Sequence, residues 1–123
     1  MEKEIKFNSE TILLMKKFKE IYWKNWKNCE NKEKALEILV MYLAKGTVNV
    51  VISENPYSYN PITKTINIDK KNPSVISTLH EFGHHLYGKS ELKACRWSVQ
   101  LFKTIFPKDF KNLKVDGHMF KKI

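Results

Sequence analysis

Two histidines and a glutamate form the pattern His-Glu-x-x-His at His80, Glu81 and His84. Side chains four residues apart on an α-helix lie one above the other, so both imidazoles can reach one metal ion. Zinc suits this pair because it accepts imidazole nitrogen and leaves a tetrahedral position open for water. Glu81 lies about 100° round the helix from His80. There its carboxylate could take a proton from a zinc-bound water and pass it to a leaving amine.

The neighbouring residues predict the helix that this motif requires. Asn72 followed by Pro73 is a helix-start signal, with Asn as the cap and Pro at the first helical position, and Gly88 ends the helix. One side carries an apolar stripe of Val75, Leu79, Phe82 and Leu86. That side is expected to pack, leaving the motif histidines to face a cleft. His85 points away from the pair and is expected to be a bystander or to support a ligand.

A catalytic zinc normally has three protein ligands, and the sequence offers two candidates for the third. His118 is the first choice because it has room to fold back, and Asp116 or the backbone of Gly117 could orient its ring. Glu91 is the alternative, although an acid in the first turn of a helix is also explained by the helix dipole. It follows His84 so closely that the turn between them would have to reverse sharply. In an inhibitory variant, the tail places His118 on the metal in place of water.

Two helices are predicted before the motif. The first begins at Ser9 and runs to about Lys27, and the second runs from Asn31 to Lys45 and stops at Gly46. Their apolar stripes are Leu14, Phe18, Ile21 and Tyr22 in the first, and Leu36, Leu39, Val40 and Leu43 in the second.

A small sheet and two more segments complete the prediction. Alternating apolar residues at 48–52 and 62–68 predict a short antiparallel pair or part of a small sheet. Ser90 caps a further helix to about Phe106, with Pro107 as its stop and a stripe of Leu92, Cys95, Val99, Phe102 and Phe106. The tail is expected to hold one more helical turn. The fold class is α+β, in a single domain over residues 1–123.

Composition limits the class of protein. A chain of 123 residues with 42% hydrophobic and 28% charged residues can bury a core without disulfides, and Cys29 and Cys95 form no disulfide framework. The N-terminus lacks the apolar region of a signal peptide, and the apolar stretch from Ala35 to Ala44 is half the length of a membrane span. We therefore expect a cytoplasmic protein.

The segment Ser58–Asp69 (SYNPITKTINID), followed by the motif helix, resembles the edge strand and active-site helix of zincin metallopeptidases. The small size and the helices beside a small sheet are most similar to the minigluzincins, which are single-domain zinc peptidases. The resemblance covers residues 48–107. It implies a minimal zincin-like fold with Zn²⁺ as cofactor, and latency through C-terminal segments that block the cleft within or between chains.

The same resemblance implies roles for individual residues. Glu81 would be the general base and acid, and His80 and His84 would be zinc ligands. A histidine third ligand would here be His118. Larger gluzincins take a Glu from the helix after the active-site helix, a pattern that Glu91 partly fits, so the third ligand stays open. The implied activity is that of a zinc-dependent endopeptidase acting on peptides or unfolded protein.

Substrate contacts can also be anticipated. An exposed sheet edge beside the zinc helix could pair with an extended peptide through main-chain hydrogen bonds, and residues 62–68 are the candidate. Tyr59 and Tyr87 are candidate donors to the oxyanion of the transition state.

Two other functions compete with the peptidase. The basic, aromatic stretch 16–27 could bind nucleic acid, as in a DNA-associated protease. The net charge is +9, but all cations except Arg96 are Lys, which disfavours a base-reading surface. The other rival is a non-catalytic, zinc-ordered regulatory domain that self-associates through Trp23, Trp26 and Trp97.

Overall fold

The computed structural model describes residues 5–111, 113–116 and 119–122, and it confirms the α+β class. The elements in chain order are α1 (Ser9–Tyr22), a 3₁₀ helix (Trp23–Asn28), α2 (Lys32–Ala44), β1 (Asn49–Ser53), β2 (Ser58–Asn60), β3 (Thr65–Asp69), α3 (Val75–Tyr87), α4 (Glu91–Ile105), α5 (Pro107–Phe110), β4 (Leu113–Asp116) and β5 (Met119–Lys122).

The N-terminal helices differ from the prediction at their ends. Asn8, and not Ser9, caps α1, because its side-chain oxygen accepts a hydrogen bond from the amide of Thr11 at 2.7 Å. The α-helix ends at Tyr22, five residues early, and continues as a 3₁₀ helix whose Asn25 leaves helical geometry. α2 ends at Ala44 because Lys45 and Gly46 both have positive φ.

The main sheet is mixed, with strand order β1-β3-β2. β2 runs antiparallel to β3, whereas β1 runs parallel to it. The 48–52 and 62–68 segments therefore do not form an antiparallel pair, and the alternative prediction, that they are part of a small sheet, is confirmed. Ile62 lies in the turn between β2 and β3 and is 90% exposed. Ile66 and Ile68 are fully buried, because β3 is the central strand. β4 and β5 form a separate two-stranded antiparallel sheet.

The helices pack one face each into a common core. On α3 the predicted Val75, Leu79 and Phe82 are buried, while Leu86 is half-exposed. On α4 the predicted Phe102 and Phe106 are buried, but Leu92 is 62% exposed and Cys95 and Val99 are only partly buried. The buried face of the helix is Ala94, Trp97, Ser98, Leu101, Phe102 and Ile105. Pro107 does end α4, and it begins the short α5, which is the helical turn expected in the tail.

The helices in the described part of the chain include none long and apolar enough to cross a membrane.

The cap of α3 generates a stability prediction. Ser74 caps the helix by accepting from the amide of Ser77 at 3.2 Å, whereas Asn72, the cap predicted from the sequence, lies before it in a turn with Asp69. We expect Ser74→Ala to lower the free energy of unfolding by about 1 kcal/mol. Asn72→Ala is the matched control and should change it by less than half as much in urea denaturation. A larger loss from Asn72→Ala would contradict this assignment.

Candidate metal centre

The two motif histidines lie on the edge of α3 that faces α4. Their rings are 4.9 Å apart between centroids, as expected for side chains four residues apart on one helix. His80 is buried, at 6% exposure, and His84 is partly buried. The helix therefore holds both imidazoles away from bulk water, with ring nitrogens toward the start of α4.

A three-residue turn brings the third side chain to this pair. Gly88 has φ 72° and ψ −137°, a backbone conformation that a residue with a Cβ rarely adopts. Ser90 then caps α4 by accepting from the amide of Lys93, so that Glu91 begins the next helix. The sharp reversal that counted against Glu91 as a ligand is thus present, and Gly88 makes it sterically accessible.

Close packing of α3 on α4 fixes the position of Glu91. A Cβ placed on Gly83 would lie 2.9 Å from both the Cα and the carbonyl oxygen of Ala94, closer than real Cβ contacts come. Glu91 is one helical turn before Ala94 on the same helix. The approach of the two backbones therefore directs the Glu91 carboxylate at His80 and His84.

One ligand atom from each of His80, His84 and Glu91 lies within 4.8 Å of the others. Nε2 of His80 is 3.1 Å from one carboxylate oxygen of Glu91, and Nε2 of His84 is 2.7 Å from the other. Two imidazoles and a carboxylate in this arrangement form a donor set that zinc accepts.

The hydrogen bond between His84 and Gly88 means that a proton or a metal ion must lie between His84 and Glu91. Its Nδ1 is 2.7 Å from the carbonyl oxygen of Gly88, which can only accept, so Nδ1 carries a proton. In a neutral ring the Nε2 lone pair then faces the Glu91 carboxylate. Two acceptors at 2.7 Å repel each other unless a proton or a metal ion lies between them. The same carbonyl orients the ring as an outer partner of a metal ligand does.

Burial and charge perturb both carboxyl groups of the site. Burial raises the pKa of Glu81 to about 7; the charge of His84 lowers it and that of Glu91 raises it. Partial burial raises the pKa of Glu91, but the charges of His80 and His84 and hydrogen bonds from both rings lower it further, so the net shift is downward. Glu91 is therefore held ionised beside the two histidines, while Glu81 can exchange a proton near neutral pH.

A cleft of about 390 Å³ opens beside these groups. Its lining includes Glu81, His84 and Glu91 from the helical side and Tyr59 and Pro61 from the sheet side. Glu81 thus shares a cavity with two of the metal-site side chains and with the end of β2.

His85 points away from the metal site, as predicted, and it holds Tyr59. The only hydroxyl proton of Thr47 goes to the carbonyl of Ala44 at 2.6 Å, so Thr47 accepts from Nε2–H of His85 at 3.2 Å. Nδ1 of His85 then accepts from the hydroxyl of Tyr59 at 2.9 Å. The Tyr59 proton is therefore engaged. Tyr87, the other candidate oxyanion donor, lines a separate recess with Phe82 and Trp97.

The first-choice third ligand, His118, lies outside the described residues, as does Gly117, one of the groups expected to orient it. Asp116 lies in β4. Glu91, the alternative, is the residue that the structure brings to His80 and His84. The signals for it were present in the sequence as Gly88 and Ser90, a helix stop and a helix cap two residues apart.

Comparison with protein-family models, with curated proteins and with solved structures finds no significant match to this chain.

The close packing at Gly83 predicts whether Gly83→Ala raises or lowers the free energy of unfolding. Helix propensity alone would make Gly83→Ala stabilising by about 1 kcal/mol. The added Cβ meets backbone atoms of Ala94, so we expect the variant to be destabilised by about 1–3 kcal/mol and to bind zinc more weakly. Urea denaturation of the metal-free protein measures the first effect. Increased stability would contradict the close approach.

The geometry also predicts which residues control metal affinity. Loss of a group that only orients a metal ligand lowers metal affinity by about 10–100-fold. Because Glu91 would contact the metal directly, Glu91→Gln should lower zinc affinity by at least about 100-fold. The measurement is zinc titration against a competing chelator. His118→Gln is the matched control and should leave affinity unchanged. The reverse result, with Glu91→Gln binding normally, would restore His118 as the third ligand.

Proposed function

We propose that this protein is a zinc-dependent endopeptidase that hydrolyses peptide bonds of unfolded protein. The observation that carries the proposal is the convergence of His80, His84 and Glu91 next to a cleft that Glu81 lines together with His84 and Glu91. Three protein ligands leave a fourth tetrahedral position free, as catalytic zinc sites do and closed structural sites do not. The compatible donor set alone would also admit other divalent metals, so zinc is part of the proposal.

His80, His84 and Glu91 would hold the zinc ion. When bound, zinc lowers the pKa of a water molecule and polarises a carbonyl group. Glu91 enters this set ionised, and Gly88 keeps the His84 ring in the tautomer that offers Nε2.

Glu81 acts as the proton carrier. Its carboxylate takes a proton from the attacking water as oxygen bonds to the peptide carbonyl carbon. It returns that proton to the amide nitrogen as the C–N bond breaks, so the products are a carboxylate and an amine. Because Glu81 is 8% exposed, its environment is largely desolvated, and solvent has limited access to this proton.

The substrate would bind along β2. The edge predicted from the sequence, residues 62–68, is unsuitable because β3 is hydrogen-bonded to β1 on one side and to β2 on the other. β2 is the outer strand, and its Tyr59 lines the cleft together with Pro61. An extended peptide pairing with the outer edge of β2 would pass Glu81. Tyr59 serves as a wall of the cleft in this proposal, because its proton is directed to His85.

Regulation and location are further parts of the proposal. Inhibition through the C-terminal segment or through self-association stays a prediction, since His118 lies outside the described residues. Both cysteines are free thiols, which is consistent with the cytoplasm as the place of action. The zinc-ordered regulatory domain and the DNA-associated protease become outcomes of the tests rather than parallel proposals.

The decisive experiment compares zinc-loaded wild type with Glu81→Gln in casein hydrolysis over a dilution series. We expect Glu81→Gln to retain zinc and to lose at least about 100-fold in rate, since general acid–base catalysis contributes about 10²–10⁴-fold. Specific activity that rises on dilution would add self-inhibition. Glu54→Gln, on an exposed turn, is the matched control and should keep full activity.

Two results would contradict the proposal. Equal hydrolysis by wild type and Glu81→Gln would exclude Glu81 as the proton carrier. Wild type that binds zinc but cleaves nothing at any dilution would favour the non-catalytic, zinc-ordered domain. Retention on random DNA that falls steeply with salt would support a DNA-associated protease.

A further inference from the structure

An apolar groove of about 420 Å³ runs between α1 and α2. Its apolar lining comprises Leu14, Phe18, Ile21 and Tyr22 from α1 and Ile38, Leu39 and Tyr42 from α2. It shares no lining residue with the metal cleft, so an inference about it stands apart from the proposed peptidase.

The α1 side of this groove is the apolar stripe that the sequence predicts as a core face. Phe18 is buried, but Leu14 and Tyr22 are only partly buried and Ile21 is 69% exposed. Across the groove Tyr42 is 63% exposed. In the described part of the chain, Phe18 is therefore the member of the stripe that is buried in the core, and Ile21 is the member that is left mostly uncovered. A contiguous exposed apolar surface of this kind marks an interaction site more often than scattered apolar residues do.

The groove has the form that receives a helix. Two packed helices leave a channel between them, and an amphipathic third helix fills it with side chains at spacings of three and four residues. The lining on α1 has this same spacing, from Leu14 through Phe18 and Ile21 to Tyr22.

The charge around the groove indicates which kind of helix would bind in it. Lys17 is the charged residue in the lining. A separate recess that begins on α1 is lined by Lys16, Lys19 and Lys24 with the one acid Glu20, so the surroundings are basic as well. The nearby acids are partly engaged elsewhere, because Glu10 pairs with Lys45 and Glu37 pairs with Lys34. A second copy of the chain would bring a further charge of +9 to a basic surface. We propose that this groove binds an acidic amphipathic helix of another protein.

The test uses fluorescein-labelled synthetic helices and the full chain in fluorescence anisotropy. One peptide has Leu in the i, i+3, i+4, i+7 pattern with Glu elsewhere, a second has Lys in place of Glu, and a third scrambles the first. The acidic amphipathic peptide should bind at least about tenfold more tightly than either of the others.

Matched variants locate the binding surface. Ile21→Ser should weaken binding of the acidic peptide about tenfold, whereas Leu13→Ser, also exposed on α1 but outside the groove, should not. Lys17→Glu should weaken it more than Lys16→Glu, which makes the same charge change one residue away. Both exposed apolar positions tolerate a polar side chain without loss of core contacts.

Three results of the binding experiments would overturn the proposal. They are equal binding of the scrambled peptide, equal loss from Leu13→Ser and Ile21→Ser, and failure of the acidic peptide to bind. Sedimentation that shows a dimer dissolved by Ile21→Ser would assign the groove to a second copy and overturn it as well.

Discussion

Backbone contact between α3 and α4 is the constraint on which the candidate site depends. Because Gly83 has no Cβ, the chain at Ala94 comes within 3 Å of where one would lie, and the start of α4 is carried to the motif histidines. A wider separation of the two helices would move the Glu91 carboxylate away from these histidines. The buried face of α4 follows from the same contact, since Ala94 turns inward and Leu92 is left at the surface.

The sequence predicted those features of the fold that depend on a few neighbouring residues, such as helix ends and helix caps. The motif helix and its end at Gly88, the cap at Ser90 and the stop at Pro107 are all present, because each depends on a few neighbouring residues. Strand direction was not predictable in this way: β1 and β3 have period-two patterns that are the same in parallel and antiparallel pairs. The stripes on α1 and α4 were misjudged because periodicity identifies an apolar face without showing how much of it a neighbour covers.

The motif pair was predictable from spacing, but its third member was not. Glu91 and His118 are both reasonable ligands by residue type, and the choice between them depends on a helix separation that one small residue sets. The sequence does contain that residue: it is Gly83, the second variable position of the His-Glu-x-x-His motif. Its meaning becomes clear only when the element packed against it is known, which is information about tertiary contact.

The turn at Gly88 makes the ligand set unusually local. His80, His84 and Glu91 fall within a single helix–turn–helix, and Glu91 follows His84 by seven positions, so gathering them closes only a short loop. Closing the loop from His84 to His118 instead would cost about 1–2 kcal/mol more in chain entropy. In the proposed zinc site, the same three residues could therefore also be gathered by an unfolded chain at a small cost in loop closure. Metal bound to the unfolded state would offset part of the stabilisation gained by the folded one, so thermal shifts would understate the affinity.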